Sequence, residues 1–287
     1  AVCRDMGLDP DRGGSIPFDC TDPDYVDAYF RHLHHPKEDI GVDFWWIDWQ
    51  QGEETGVAGL DPLPWLNQLH WEDQALRRPT RRPLNFSRYG GPGGGRYPIG
   101  FSGDTYITWR SLKFQLYFTP TASNALYGYW SHDIGGHMGG AGTPEMYVRW
   151  VQFGAYSPIL RTHSTKGLAN DRRPWTFSEP YNLLVVDAIK ARYELVPYIY
   201  SEMQAGVESG VSLLRPMYYY HPEDEEAYRA KYQYYFGESM VVSPIAEPVD
   251  PITETVRHKT WLPAGQWFDT ALGMLIEGGR WYQETYL

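Results

Sequence analysis

Along the first two thirds of the chain, short continuous apolar runs alternate with stretches of helical spacing. Residues 22–36 place Tyr25, Ala28, Tyr29 and Leu33 on one helical face, with Thr21 as N-cap and Pro36 as stop. The run from Val42 to Ile47 predicts a strand buried on both faces, and it leads directly into Asp48. A helix is expected in residues 65–78 and a strand in residues 82–88. After the Gly-rich stretch 89–98 come a short strand ending on Asp104 and a helix over 105–118. A strand ending on Asp133, a helix opened by Thr143-Pro144 and a strand ending on His163 follow. The longest helical pattern then runs from Ser178 to about Gly206. Strand, loop and helix in this order imply repeated βα units and a parallel sheet.

The pattern changes near Gly210. Residues 211–221, 238–245, 258–270 and 273–283 are β-rich pieces separated by turns. The expected architecture is therefore α/β: a (β/α)8 TIM-type barrel portion over residues 1–210, then an antiparallel β-sandwich domain beginning in residues 211–287.

Polar residues fall at the strand ends. Asp48, Asp104, Asp133 and His163 each end an apolar strand, and Arg88 ends a fifth. Asp is common in βα loops as a helix cap, but strand C-termini of a barrel converge on one mouth, so the set predicts a site. Two or three carboxylates with an Arg and a His suit glycoside hydrolysis. One carboxylate must be ionised to meet charge developing at the anomeric carbon, and another must carry a proton for the leaving oxygen. Asp48, among Trp45, Trp46 and Trp49, needs hydrogen bonds or a cation to hold its charge, and Arg88 is the candidate.

Composition narrows the classes. Aromatics are 16% of 287 residues, with 12 Trp and 23 Tyr, a surplus suited to stacking against sugar rings as well as to filling a core. A net charge of −11 argues against nucleic-acid binding and against an anionic membrane surface. Cys3 and Cys20 exclude a disulfide-rich scaffold and leave room for one bridge. No apolar stretch reaches membrane-spanning length. The cluster His32, His34 and His35, with Asp133 and His163, offers a rival reading as a metal-dependent barrel hydrolase, but it lies at a helix end rather than a strand end. Residues 89–95 lack the Lys-Ser/Thr of a phosphate loop. Arg161 is open between bracing carboxylates and surface pairing.

The ordered series GVDFWWIDWQQ, FSRYGGPGGGRYPIGFSGDTYITWRSL, YWSHDIGGHMG and RWVQFGAYSPILRTHS resembles glycoside hydrolase family 31, the retaining α-glucosidase and α-xylosidase family. ELVPYIYSEM, LLRPMYYYHPED, YYFGESMVVSPI and WLPAGQWFD continue the likeness into the barrel end and the C-terminal β domain. The resemblance implies Asp48 as nucleophile and Asp104 as general acid/base, standing roughly 5–5.5 Å apart. It implies that Arg88, Asp133, His163, Trp46, Trp49 and Phe101 bind substrate, an oligosaccharide or glycoside, with no cofactor and no metal. The chain departs from the family at Trp49-Gln50, Phe101, Thr105 and His137, where Met-Asn, Trp, Asn and an aromatic or apolar residue are usual. These departures leave the sugar open among α-glucoside, α-galactoside, α-xyloside and α-N-acetylgalactosaminide. The first barrel strands, with an aspartate that holds the sugar, are absent from the match, so a partial chain is expected. A non-catalytic carbohydrate-binding product is the alternative. Localisation and self-association are left unassigned.

Overall fold

The structure is a computed structural model describing residues 1–11, 13–48 and 52–287. The chain divides into two compact units, Ala1–Phe101 and Ser102–Leu287.

The first unit contains helices α1 (Val2–Asp5), α2 (Pro23–Tyr29) and α3 (His35–Glu38), strand β1 (Trp45–Ile47), helix α4 (Pro62–Arg77) and strands β2 (Asn85–Arg88) and β3 (Gly100–Phe101). Asp22, not Thr21, caps α2, accepting from the backbone N–H groups of Asp24 and Tyr25. The Thr21 hydroxyl is turned back to the Asp19 carboxylate. Pro36 does not stop the helical run. A π turn over Phe30–His34 leads into α3, and Pro36 falls in its first turn, where a missing N–H costs nothing. Tyr25 and Ala28 bury against Val2, with Met6, Ile16 and Phe18 packed around them.

β1, β2 and β3 are parallel, with Trp46 opposite Phe86 and Arg88 opposite Phe101. Side chains alternate across a sheet. Trp46, Phe86, Arg88 and Phe101 therefore share one face, and Ile47, Asn85 and Ser87 the other. The second face meets α4, whose polar residues are tied to β2. Asn67 donates to the Ser87 hydroxyl (2.7 Å), and Gln74 donates to Asn85 Oδ1 (2.9 Å). Asn85 in turn donates to the Asn67 carbonyl (2.8 Å). All four are buried. The strand expected over 42–47 is shorter than its apolar run, and Phe44 and Trp46 are each 42% exposed.

The second unit opens with helix α5 (Trp109–Thr121), strand β4 (Trp130–Ser131) and helices α6 (Pro144–Ala155), α7 (Tyr181–Glu194) and α8 (Val196–Ser209). Thr143 caps α6 with Pro144 at its first position, as the Thr-Pro pair predicts. The long pattern of residues 178–206 is two helices meeting at Leu195, with Pro197 in the first turn of the second. The core lies between α6 and the elements around it: Trp150, Phe153, Leu112, Leu116, Ile134, Tyr234 and Phe236 are almost wholly buried. The strand expected over residues 157–163 is reduced to one parallel bridge, Ile134 to Thr162, beyond a Pro158 that cannot donate.

Beyond α8 come strand β5 (Leu214–Pro216), helix α9 (Glu225–Arg229) and strands β6 (Tyr234–Phe236), β7 (Met240–Val242), β8 (Val256–Leu262), β9 (Gln266–Asp269), β10 (Met274–Glu277) and β11 (Arg280–Tyr286). They pair antiparallel as β5-β6-β7, β8 with β11 and β9 with β10. Among the described residues the parallel strands do not close into a barrel, and Cys3 and Cys20 are both free.

Candidate active site

In the first unit the strand alternation that exposes Trp46 carries Asp48 just past the end of β1. The Arg88 guanidinium, at the end of the neighbouring strand, donates Nε–H to Asp48 Oδ1 at 2.6 Å. Both side chains are 23% exposed, so the pair is shielded from full solvent screening while open enough to meet a ligand. Phe101 is buried under this pair, with the Arg88 guanidinium 5.4 Å from its ring centre. Trp46 lies against Phe86 (4.7 Å) and meets Phe101 edge-on (5.4 Å). The other face of β1 is anchored by Trp45, whose indole N–H donates to buried Glu38 (2.8 Å). Arg77 closes on the same carboxylate at 2.8 Å. Trp49 lies outside the described residues.

In the second unit, Asp133 follows β4 and is fully buried. The Arg161 guanidinium donates to Asp133 Oδ1 at 2.5 Å and to the Ser131 hydroxyl at 2.9 Å, so Arg161 braces a carboxylate rather than pairing on the surface. The Thr105 backbone N–H reaches the other Asp133 oxygen at 3.5 Å. One residue earlier, His132 is locked from both sides. Its Nδ1 accepts from the Trp150 indole (3.0 Å), so Nε2 carries the proton toward the Ser157 hydroxyl (2.8 Å), and the ring stacks on Phe153. Burial, with the Arg161 charge nearby, pushes its pKa down to about 3.

Asp104 follows a turn at Gly103, whose φ of +69° suits glycine. Its carboxylate Oδ1 is 3.7 Å from His137 Nε2. His137 stacks on His163, ring centres 4.7 Å apart, and burial lowers the His163 pKa. The turn between Asp133 and His137 depends on Gly136, at φ +76°, where a Cβ would stand 2.7 Å from the Ile107 Cα. Asp104, Asp133, His137 and His163 thus come together, as do Asp48, Arg88, Trp46 and Phe101.

His32, His34 and His35 do not join such a cluster. They bond instead to Asp5, the Tyr29 carbonyl and Asp73. Asp133, His137 and His163 present ligand-type atoms within 4.8 Å of one another. Arg161 already neutralises that carboxylate, and a dication there would share it with a guanidinium, so a polar cradle fits the set better than a metal centre. Sequence reading missed Arg172, in the polar loop after His163. It donates to the carbonyls of Gly135 (2.6 Å) and Gly136 (2.9 Å) and lies over the Tyr147 ring, clamping the turn that carries His137. Its neighbours in sequence gave no signal for that role.

Residues 4–202 match the model of the glycosyl hydrolases family 31 TIM-barrel domain, and residues 210–286 match that of the family 31 C-terminal domain. The chain belongs to glycoside hydrolase family 31. It is 31% identical over 293 residues to an α-xylosidase of Emericella nidulans, covering 96% of this chain and 36% of the relative. An α-xylosidase of Saccharolobus solfataricus is 28% identical, covering 89% of this chain and 35% of its own length. The family 31 dextranase of Flavobacterium johnsoniae superposes with a TM-score of 0.80 at 25% identity, over 96% of this chain and 36% of that one. The chain spans about a third of the length of these relatives.

Proposed function

We propose that the protein is a retaining, exo-acting glycoside hydrolase that removes a terminal α-linked sugar, α-glucosidase-like in class. In the first step Asp48 attacks the anomeric carbon while Asp104 protonates the departing oxygen. In the second, Asp104 takes a proton from a water whose oxygen attacks the anomeric carbon, which breaks the bond to Asp48 and returns its carboxylate. The observation that carries the reading is the Arg88–Asp48 pair at the ends of adjacent parallel strands. A charge-assisted hydrogen bond is made to the carboxylate form, the form a nucleophile needs. Arg88 then orients Asp48 and binds sugar hydroxyls, with Trp46 offering a ring face and Phe101 backing the guanidinium.

His163 is a further binding group for hydroxyls, in one cluster with Asp133 and His137. Asp133, expected to bind substrate, is instead fully buried against Arg161 and supports the cluster, while a neutral His163 both donates and accepts. Membership of family 31 supports the assignment, as do relatives named α-xylosidase and α-glucosidase. In this reading residues 1–210 belong to a (β/α)8 barrel and residues 211–287 to an antiparallel β-sandwich. The substrate is an oligosaccharide or glycoside, and neither cofactor nor metal enters a step.

The test is trapping. A slow fluorinated α-glycoside incubated with the full-length protein should leave a glycosyl group on Asp48, located by peptide mass mapping. Label on any other residue overturns the assignment. A panel of aryl α-glycosides (gluco, galacto, xylo, N-acetylgalactosamine) then fixes the sugar, with Asp48→Asn as blank.

A further inference from the structure

We infer that His137 is a positioning residue for the Asp104 carboxyl group, an inference that rests on Asp104 being the general acid/base. Three features fix its ring. The backbone around it is locked to the segment that carries Asp104: the N–H groups of His137 and Met138 both donate to the Thr105 carbonyl (2.8 and 3.1 Å), and Ile107 donates to the Met138 carbonyl (2.9 Å). The His137 carbonyl accepts from Thr165 on the opposite side (2.9 Å). Gly136 lets the two segments approach to a distance that no Cβ would allow.

The ring itself has one polar direction open toward a partner. His163 covers a face of it at 4.7 Å, and Nδ1 is buried without a hydrogen-bond partner. Nε2 points toward Asp104 Oδ1 at 3.7 Å, slightly beyond hydrogen-bond reach, and catalytic contacts of this kind tighten when substrate binds. The charged and titratable groups around the ring are Asp104, Asp133, His163 and, through Asp133, Arg161.

Because Nε2 is the nitrogen that faces a carboxyl oxygen while Nδ1 has no partner, the ring places its proton on Nε2 and donates to Oδ1 of Asp104. That bond holds the carboxyl so that Oδ2 is the oxygen presented to the glycosidic bond. It strengthens as Asp104 gives up its proton and becomes a carboxylate. No proton need pass to His137 at any point.

A positioning role of this kind is read by leaving-group dependence. Glycosyl fluorides depart with little protonic help, whereas alkyl glycosides and disaccharides need the acid. In the full-length protein His137→Phe should lower kcat/KM on a methyl α-glycoside or disaccharide by about 10–100-fold, a fraction of the roughly 10²–10⁴ that general acid catalysis supplies. The same variant should change kcat/KM on the α-glycosyl fluoride less than about 3-fold, which also shows that it folds. His137→Gln keeps a donor and should restore most of the loss. Equal losses on both substrates, or no loss on either, would overturn the inference. Asp104→Ala run alongside separates the two layers: if it too ignores the leaving group, Asp104 is not the acid and the parent reading fails.

Discussion

The surroundings of Asp48 and of Asp104 are built differently, and the difference matches the two chemical tasks proposed for them. Asp48 meets a guanidinium at 2.6 Å. That contact comes from neighbouring parallel strands whose register is held from behind by the buried Asn67, Gln74, Asn85 and Ser87 network. Asp104 follows a glycine turn and faces an imidazole at 3.7 Å. A fixed cation suits a group that must attack as an anion. A looser, adjustable donor suits a group that must hold a proton, release it and take another.

The sharpest way to break the comparison is to remove each carboxylate. Asp48→Asn should abolish turnover on every substrate, fluoride included, with kcat falling by at least about 10⁴-fold, as loss of a nucleophile does. Asp104→Ala should instead be selective, losing about 10²–10⁴-fold on disaccharides and far less on the fluoride. If the two variants show the same substrate profile, the division of labour is wrong. Steady-state kinetics on the pair of substrates reads both outcomes.

Next in size is the buried pair behind the second site. Asp133→Ala takes the carboxylate from the Arg161 guanidinium in a place where Asp133 has no exposed surface and Arg161 little. Breaking a buried pair from one side costs about 3–5 kcal/mol, so a marked fall in thermal midpoint should accompany loss of activity. The contrasting variant lies behind Asp48. Gln74→Leu leaves the Asn85 amide and the Leu84 N–H without their partner, which should cost about 1–3 kcal/mol and weaken catalysis only through the placement of Arg88. Denaturant unfolding of the two variants should keep that order.

Much of this was legible in the sequence because strands of period two and helix caps leave local signatures. The run into Asp48 and the Thr143-Pro144 start mark a strand and a helix that the structure contains. What escaped was long-range. Asp22 and Thr21 are both good caps, and the rival Asp19 carboxylate decides between them. Pro36 looks like a stop until the π turn shifts it into the first turn of α3. Arg172 carries no motif, and its grip on the Gly135 and Gly136 carbonyls follows from loop folding alone. His137 was visible only as a departure from the family pattern, and its proximity to Asp104 needed the backbone pairing of residues 105–107 with 137–138.

The smallest effect expected is a pH slope of stability set by the histidines that each unit buries. His132 in the second unit and His70 in the first are both held near a pKa of about 3 by burial. An unfolded His titrates near 6.5. Because the folded pKa lies below the unfolded one, the neutral rings contribute fully above pH 6.5, and stability falls as the pH drops from there toward 3. Burial shifts His34, His163, His221 and His258 in the same direction. Between pH 6.5 and 5, before carboxylates titrate, each fully shifted histidine adds a slope of up to about 1.4 kcal/mol per pH unit. His132→Gln should lower stability at pH 7.5, because Gln does not reproduce the linked bonds to Trp150 and Ser157. Its slope below pH 6.5 should be flatter than the parent's by about that amount. An unchanged slope would mean that His132 takes up its proton in the folded protein, against the locked arrangement of its two nitrogens.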